Sequence, residues 1–126
     1  MDAAVRTALE TDGTIDITTI GAKSGLPRRA EIWFLHLAGQ TFITGTPDPR
    51  NWYANALAHD RFTFHLKEST TADLSACAVP VLDEPTRRRV FSQPHPWNEW
   101  YLSEVPLDDL VAVAPMVEVF FEEAGE

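Results

Sequence analysis

The 126-residue sequence predicts a mainly β protein with short helices, folded as one antiparallel barrel in a single domain over residues 1–126. Segments that alternate β-branched or aromatic residues with polar ones recur along the chain, as in half-buried strands. Tight turns join the first of these segments, which favours hairpins. Helical patterns occur only in the later connections, so the regular strand–helix alternation of a doubly wound parallel sheet is missing.

The predicted elements follow the order β-β-β-α-β-β-α-β. Thr14–Ile20 alternates cleanly, and a turn with two glycines and one proline follows it at 21–27. The next strand is expected at about 30–37 and is partly buried on both faces, and a hairpin signal at 38–40 leads to a strand at 41–46. The remaining strands are predicted at about 61–67, 72–82 and 112–121.

Helix-start signals place two helices in the connections. Asp48 is expected to be an N-cap, with Pro49 in the first helical position, for a helix that ends near His59. A second helix is predicted from Asp83-Glu84-Pro85 to about Phe91 by the same reasoning. The aromatic segment 97–102 is expected to be a helical turn or a lid.

Charge and composition exclude several classes of protein. The 19 acidic and 10 basic residues give a net charge of −9, and every charged residue from Asn98 onward is acidic. A nucleic-acid-binding protein needs a basic face, so that class is disfavoured. Cys77 is the single cysteine, so no intramolecular disulfide forms and a zinc site is not expected. We find no secretory or membrane-spanning pattern and expect a cytoplasmic protein.

Two stretches predict an anion site. Residues 19–29 combine a strand end and a glycine turn with Lys23, Ser24, Arg28 and Arg29, although the order of a phosphate-binding P-loop is absent. Because Arg28 and Arg29 are adjacent on a strand, only one of them is expected to serve the pocket. A solvated basic hairpin is the alternative interpretation.

The second stretch, residues 44–52, joins a strand end to a helix N-terminus. Arg50 lies in the first turn, where the positive end of the helix dipole favours an anion over a cation. The alternative is a surface arginine paired with Asp48. In a small barrel the two stretches are expected to converge at one rim.

Two segments resemble a known family. Residues 18–29, TTIGAKSGLPRR, look like the Thr-Thr-Gly-x-Lys-Ser-Gly-x-Pro-Arg signature of the deazaflavin-dependent nitroreductases. Residues 50–57, RNWYANAL, resemble that family's Asn-x-x-Trp-x-x-Asn-Leu element. The similarity covers roughly residues 14–82. It departs from the family pattern in the short segment before the first strand and in Thr46-Pro47-Asp48, where the family commonly has two glycines.

This resemblance implies a split β-barrel, as in pyridoxamine-phosphate oxidases, and an oxidoreductase that uses coenzyme F-420, a phosphate-bearing deazaflavin. Lys23, Ser24 and Arg28 are implied to hold the cofactor phosphate. Thr44, Gly45 and Thr46 are implied to line the barrel near the ring, with Trp52 supporting the pocket. The substrate is then a small unsaturated carbonyl, quinone or nitro compound.

Three alternatives stay open at this stage. One alternative is a related reductase or oxidase that uses FMN in place of the deazaflavin, and another is a binding module without turnover. Tyr101 is expected to donate a proton to the reduced substrate, because it lies in the aromatic segment; ordinary core packing is the other interpretation.

We expect a homodimer, with Trp33, Trp97 and Trp100 among the residues available for its interface.

Overall fold

A computed structural model describes residues 1–122 and shows seven antiparallel strands with five short helices. The strands are β1 (Thr14–Ile20), β2 (Pro27–Trp33), β3 (Leu35–Leu37), β4 (Gln40–Thr44), β5 (Arg61–Leu66), β6 (Ala72–Pro80) and β7 (Met116–Phe121). The helices are α1 (Ala3–Thr11), α2 (Asn51–Ala58), α3 (Glu84–Ser92), α4 (Pro96–Glu104) and α5 (Leu107–Val113). The mainly β, antiparallel fold class is confirmed.

One residue forces the sheet to curl. The strand order is β2-β1-β5-β6-β7-β4-β3, so β2 and β3 lie at opposite edges of the sheet. In the sequence, only Phe34 separates them. The two edges must therefore approach each other, and the sheet becomes a split barrel instead of an open layer. Phe34 is almost fully buried, and its backbone N–H donates to the carbonyl of Gly13 at 2.9 Å.

The barrel interior forms the first of two hydrophobic clusters. Ile15 and Ile17 of β1, Phe64 of β5 and Val117 of β7 point inward, and the ring of Phe34 meets Phe64 edge-on at 5.3 Å. Helix α1 covers one opening of this interior with residues at i, i+3 and i+4, namely Val5, Ala8 and Leu9.

The second cluster lies on the other face of β3, β4 and β7. There Leu35, Phe42 and Met116 are covered by α3, α4 and α5, through Phe91, Tyr101 and Leu110. Both faces of this half of the sheet are therefore buried. Trp33 and Trp97 stack on each other at 3.9 Å beside this cluster.

The observed elements differ from the predicted ones at several points. The strand expected at 30–37 breaks at Phe34, because the chain crosses there between the two sheet edges. The segment before β1 forms α1, whose N-cap Asp2 accepts from the N–H of Val5 at 2.8 Å. The segment from 97 to 102 is part of a nine-residue helix. Residues 107–113 are helical, so the last strand is shorter than expected.

Candidate functional site

Two cavities share Trp52 in their linings and both border β2, and we call the two together the cleft. The first, of about 510 Å³, is the Lys23 pocket and is lined by Thr19, Gly21, Ala22, Lys23, Ser24, Arg28, Ala30, Asn51, Trp52, Ala54 and Asn55. The second, of about 280 Å³, is the Arg50 pocket and is lined by Glu31, Ile32, Trp33, Thr44, Gly45, Thr46, Arg50, Trp52, Trp100 and Tyr101. Eight of the nine residues predicted to bind the cofactor lie in these linings, and so does Tyr101.

A tight turn between β1 and β2 shapes the Lys23 pocket. The N–H of Gly21 donates to the carbonyl of Leu26 at 2.8 Å, and the N–H of Gly25 donates to the carbonyl of Gly21 at 2.9 Å. Gly25 has a φ of +70°, which few residues other than glycine adopt. A Cβ on Gly21 would lie 2.4 Å from the hydroxyl oxygen of Ser24. Glycine at 21 therefore lets Ser24 fold back over the turn.

Asn55 fixes this turn against α2. The Oδ1 atom of Asn55 accepts from the N–H of Ala22 at 2.9 Å, and its Nδ2 donates to the hydroxyl of Thr19 at 3.1 Å. The side chain is buried, so both polar ends need these partners. Asn55 lies within the second family-like motif, but the sequence alone assigned it no role. The signal that could have found it is its position three residues after Trp52, on the inward face of α2.

Lys23 and Arg28 are the cations of the Lys23 pocket. Both are exposed, and neither forms an ion pair within residues 1–122. Ser24 accepts from the N–H of Leu26 at 3.2 Å and keeps its hydroxyl proton for another acceptor. Two cations without ion pairs and a hydroxyl, on the turn and at the start of β2, make a site that suits a phosphate or carboxylate.

Arg29 does not line the cleft, which corrects the prediction that it binds the cofactor. It pairs with Thr18 across β1 and β2 and points to the outer face of the sheet. There its Nε donates to Asp16 Oδ2 at 3.1 Å. Side chains alternate along a strand, so Arg28 and Arg29 face opposite sides, and only Arg28 reaches the pocket.

Helix α2 begins later than predicted and leaves its first turn open to the cleft. Its first residue is Asn51, and Arg50 takes the N-cap position with no capping hydrogen bond from its side chain. Asp48 and Pro49 precede the helix, and Asp48 Oδ2 forms an ion pair with Arg50 Nη2 at 3.5 Å. The positive end of the helix dipole therefore borders both pockets, at Asn51 and Trp52.

The Arg50 pocket has aromatic walls that helix α4 holds in place. Trp97 Nε1 donates to the carbonyl of Gly13 at 3.0 Å, and Asn98 Nδ2 donates to the carbonyls of Val90 and Gln93. Trp100 meets the ring of Trp33 edge-on at 5.5 Å and is 44% exposed. With these anchors α4 is a fixed wall of the pocket in this structure.

Tyr101 is the buried end of that wall. Its hydroxyl donates to the carbonyl of Thr44 at 3.2 Å, and burial raises the pKa of this phenol to about 12, an effect that the nearby Arg50 charge partly opposes. Tyr101 is therefore a neutral phenol at physiological pH. To protonate a substrate, it would have to release Thr44.

A larger groove, of about 730 Å³, lies between α3, α5 and the segment before α2. Its charged side chains are already paired: Arg88 donates to Glu84 and Asp108, and buried Arg87 donates to four backbone carbonyls. Free polar groups are the mark of a ligand site. We therefore place the candidate site in the smaller cleft, where Lys23 and Arg28 have no ion-pair partner among the described residues.

Comparisons with solved structures support the fold. No family model and no curated protein matches the chain. A candidate pyridoxamine 5′-phosphate oxidase from Listeria innocua has a TM-score of 0.70 at 12% identity, over 94% of this chain and 91% of that chain. An F-420 reductase has a TM-score of 0.64 at 15% identity, over 98% and 96%. A FAD-binding protein from Mesorhizobium loti has a TM-score of 0.68 at 11% identity, over 98% and 91%. The chain thus has the split β-barrel that the motif resemblance implied.

Proposed function

We propose that this protein binds coenzyme F-420 in the cleft and transfers a hydride from its reduced form to a small unsaturated carbonyl, quinone or nitro compound. The observation that carries the proposal is the arrangement of the cleft: two unpaired cations, Lys23 and Arg28, lie at one end, and an aromatic pocket with Arg50 lies at the other. A flavin-type cofactor has the same two parts, a phosphate and a flat ring.

The residues of the cleft fit such a cofactor. Lys23, Ser24 and Arg28 would hold the phosphate, and the dipole of α2 would add to their attraction. Ala30, a small residue on the inner face of β2, lies in the lining with Trp52 and leaves room for a flat ring. Thr44, Gly45, Thr46 and Arg50 would surround the reacting end.

The cofactor would supply the hydride, and the protein would supply binding, orientation and protection from water. The fixed wall of α4 would keep water from the reacting atoms through Trp100 and Tyr101. Tyr101 remains our proposed proton donor to the reduced substrate. Tyr101→Phe removes the hydroxyl but keeps the ring, and is expected to slow turnover while leaving cofactor affinity within about twofold.

The first test is a fluorescence titration of the purified protein with F-420 and, separately, with FMN. Tight F-420 binding that Lys23→Ala and Arg28→Ala each weaken about tenfold supports the proposal, since a charge-assisted hydrogen bond contributes roughly 1.5–3 kcal/mol. Arg89→Ala is the matched control, because Arg89 is an exposed cation on α3 outside the cleft. If neither cofactor binds, the proposal fails.

FMN is the second candidate cofactor. The Lys23 pocket offers cations for one phosphate, and the C-terminal quarter of the sequence is acidic, which would repel a polyglutamate tail near it. A yellow purified protein that binds FMN tightly and gives no response to F-420 would assign the chain to FMN. A barrel that binds either cofactor but reduces no acceptor would instead be a binding module.

We also propose a homodimer. Val79 on β6 and Phe120 on β7 are exposed apolar residues on neighbouring strands, and Cys77 pairs with Phe120 on the same outer face. Neighbouring exposed apolar residues favour an interaction surface here. Light scattering is expected to give twice the chain mass, and Phe120→Glu is expected to give the monomer. A monomeric wild-type protein would contradict the proposal.

A further inference from the structure

One buried side chain connects helix α2 to the turn of the Lys23 pocket. Asn55 and Ala56 are the two buried residues of α2, and Asn55 is the polar one. Its Oδ1 accepts from the N–H of Ala22 at 2.9 Å, and its Nδ2 donates to Thr19 Oγ1 at 3.1 Å. An apolar residue could fill the same space against the core. What the amide of Asn55 adds is therefore these two bonds.

The two bonds of Asn55 lie beside the two cations of the Lys23 pocket. Ala22 directly precedes Lys23 in the chain, and Thr19 pairs with Arg28 across β1 and β2. Lys23 belongs to the turn and Arg28 to the start of β2. One anion can meet both cations only if the turn keeps a fixed place relative to the strands, and Asn55 holds the backbone next to each of them.

The turn also presents main-chain amides to the side on which α2 lies. The N–H of Gly25 donates to the carbonyl of Gly21 at 2.9 Å, a spacing of four residues as in a single helical turn, so the amides between them point the same way. The amide of Ala22 reaches α2, and those of Lys23 and Ser24 have no hydrogen-bond partner among the described residues. The Lys23 pocket is lined by this turn and by α2. Consecutive unpaired amides of this kind suit an anion.

From these contacts we propose that Asn55 is a positioning residue for the phosphate of the cofactor. It holds the turn against α2 and β1, so that the two unpaired amides and the cations of Lys23 and Arg28 meet the same phosphate group. The proposal rests on the function proposed above. Asn55 acts through the groups that it places, because its own Oδ1 is bonded to Ala22 and its Nδ2 to Thr19.

This role predicts which part of a ligand depends on Asn55. Loss of its two bonds weakens binding of the phosphate, whereas a ring in the Arg50 pocket does not touch the turn. The phosphate contribution is the Kd of a phosphate-free ring compound divided by the Kd of its phosphorylated form, and we call this quotient the phosphate ratio. A residue that only stabilised the fold would change both Kd values together and leave the phosphate ratio unchanged.

The test measures the phosphate ratio by fluorescence titration, with F-420 and its phosphate-free deazaflavin alcohol and with FMN and riboflavin. Asn55→Ala is expected to lower the ratio about tenfold and to leave the Kd of the phosphate-free compound within about twofold. Thr19→Val removes the acceptor of Asn55 Nδ2 but keeps the shape, and is expected to lower the ratio about threefold. Thr19→Ser keeps a hydroxyl and is expected to restore it. This second pair carries the test if Asn55→Ala does not fold.

Asn98→Ala is the matched control. Asn98 is also buried and donates to two carbonyls, and it lies outside the lining of the Lys23 pocket. Its phosphate ratio is expected to stay within about twofold of the wild-type value. An unchanged ratio in Asn55→Ala, or an equal fall in both variants, would overturn the inference even where F-420 binds tightly and the proposed function stands.

Inorganic phosphate separates this inference from the proposed function, because it needs no cofactor. Its binding is followed by the line width of the phosphorus NMR signal. Weaker phosphate binding by Asn55→Ala than by the wild type and Asn98→Ala supports the positioning role, even if no cofactor binds and the proposed function fails. Equal binding by all three proteins, or no binding of phosphate or cofactor by the wild type, would overturn it.

Discussion

Gly21 has no room for a side chain beside Ser24 in the Lys23 pocket. Gly21→Ala would place a methyl group 2.4 Å from Ser24 Oγ, so Ser24 must move and its hydrogen bond from Leu26 is disturbed. We expect the affinity for a phosphate-bearing cofactor to fall about tenfold. Gly39→Ala is the control: its φ of +82° makes alanine strained, but the β3–β4 hairpin is outside the cleft. Equal affinities of the two variants would contradict the expectation.

His95 makes the free energy of unfolding depend on pH. Its Nδ1 accepts from the N–H of Trp97 at 3.1 Å at the start of α4, and burial lowers its pKa. An unfolded histidine titrates near pH 6.5. As the pH falls, the unfolded chain therefore takes up the proton first. The histidine contribution to the free energy of unfolding is complete above about pH 6.5 and is lost as the pH falls through the folded-state pKa.

The variant His95→Asn tests this contribution. Asparagine keeps an oxygen acceptor for the N–H of Trp97 and is a favoured N-cap, but it does not titrate. Urea unfolding at about pH 7 and pH 5 is expected to show a smaller loss of stability in the variant than in the wild type. Asp16, Asp73 and Asp83, whose pKa values are lowered mainly by side-chain hydrogen bonds, act in both proteins and only at lower pH. The same slope in both proteins would exclude a role for His95.

The residues of the candidate site were largely predictable because their signals are local. The glycine turn and the residues Lys23, Ser24 and Arg28 can be recognised within one short stretch of sequence. Side chains alternate along a strand, so the sequence already indicated that Arg28 and Arg29 would not both reach the pocket. In the structure Arg29 is the one that faces away from it. The contacts of Arg50 were not predictable, since they depend on where Thr46 and Asp48 lie in space.

At the scale of elements, strands with strict alternation were predicted well and the helical segments less so. Helix α1 was missed although Asp2 is an N-cap and Val5, Ala8 and Leu9 share a face. The N-cap of α2 is Arg50 and not the predicted Asp48, because the position of a helix end depends on the tertiary course of the chain. Helix α5 is short, and its apolar residues read equally well as a strand.

Helix α4 is expected to behave as part of the folded core. Asn98 is 2% exposed and donates to the carbonyls of Val90 and Gln93 at 2.8 and 2.9 Å. Asn98→Ala removes both bonds and is expected to lower the free energy of unfolding by about 2 kcal/mol. Hydrogen exchange of the α4 amides is expected to be slow in the wild type and faster in the variant.

Ser103→Ala is the control on the same helix, because its exposed hydroxyl donates only to the carbonyl of Trp100. It is expected to change stability by less than about 0.5 kcal/mol. If α4 exchanges rapidly in the wild type, the helix opens as a lid, and the fixed wall of the Arg50 pocket is wrong. The positions of Trp100 and Tyr101 would then depend on whether a ligand is bound.

At the scale of the whole molecule, the described part of the chain buries two clusters on either side of one sheet. No helix within residues 1–122 has the length and apolarity to cross a bilayer. The barrel interior and the helical layer share β4 and β7, so both clusters depend on the same strands. The sequence indicated the strands, but not their order, since pairing between distant strands such as β4 and β7 leaves no local pattern.

The closure of the barrel depends on Phe34. It alone links the two edge strands, and it is 1% exposed in the barrel interior. Phe34→Ala removes most of a buried ring and leaves a cavity between the edges, so we expect the free energy of unfolding in urea to fall by about 3–5 kcal/mol. Phe120→Ala makes the same chemical change at a residue that is 49% exposed, and is expected to cost less than about 1 kcal/mol when the oligomeric states match. Similar losses in the two variants would mean that Phe34 does not hold the barrel closed, and the cleft along β2 would lack the rigid frame that its ligand requires.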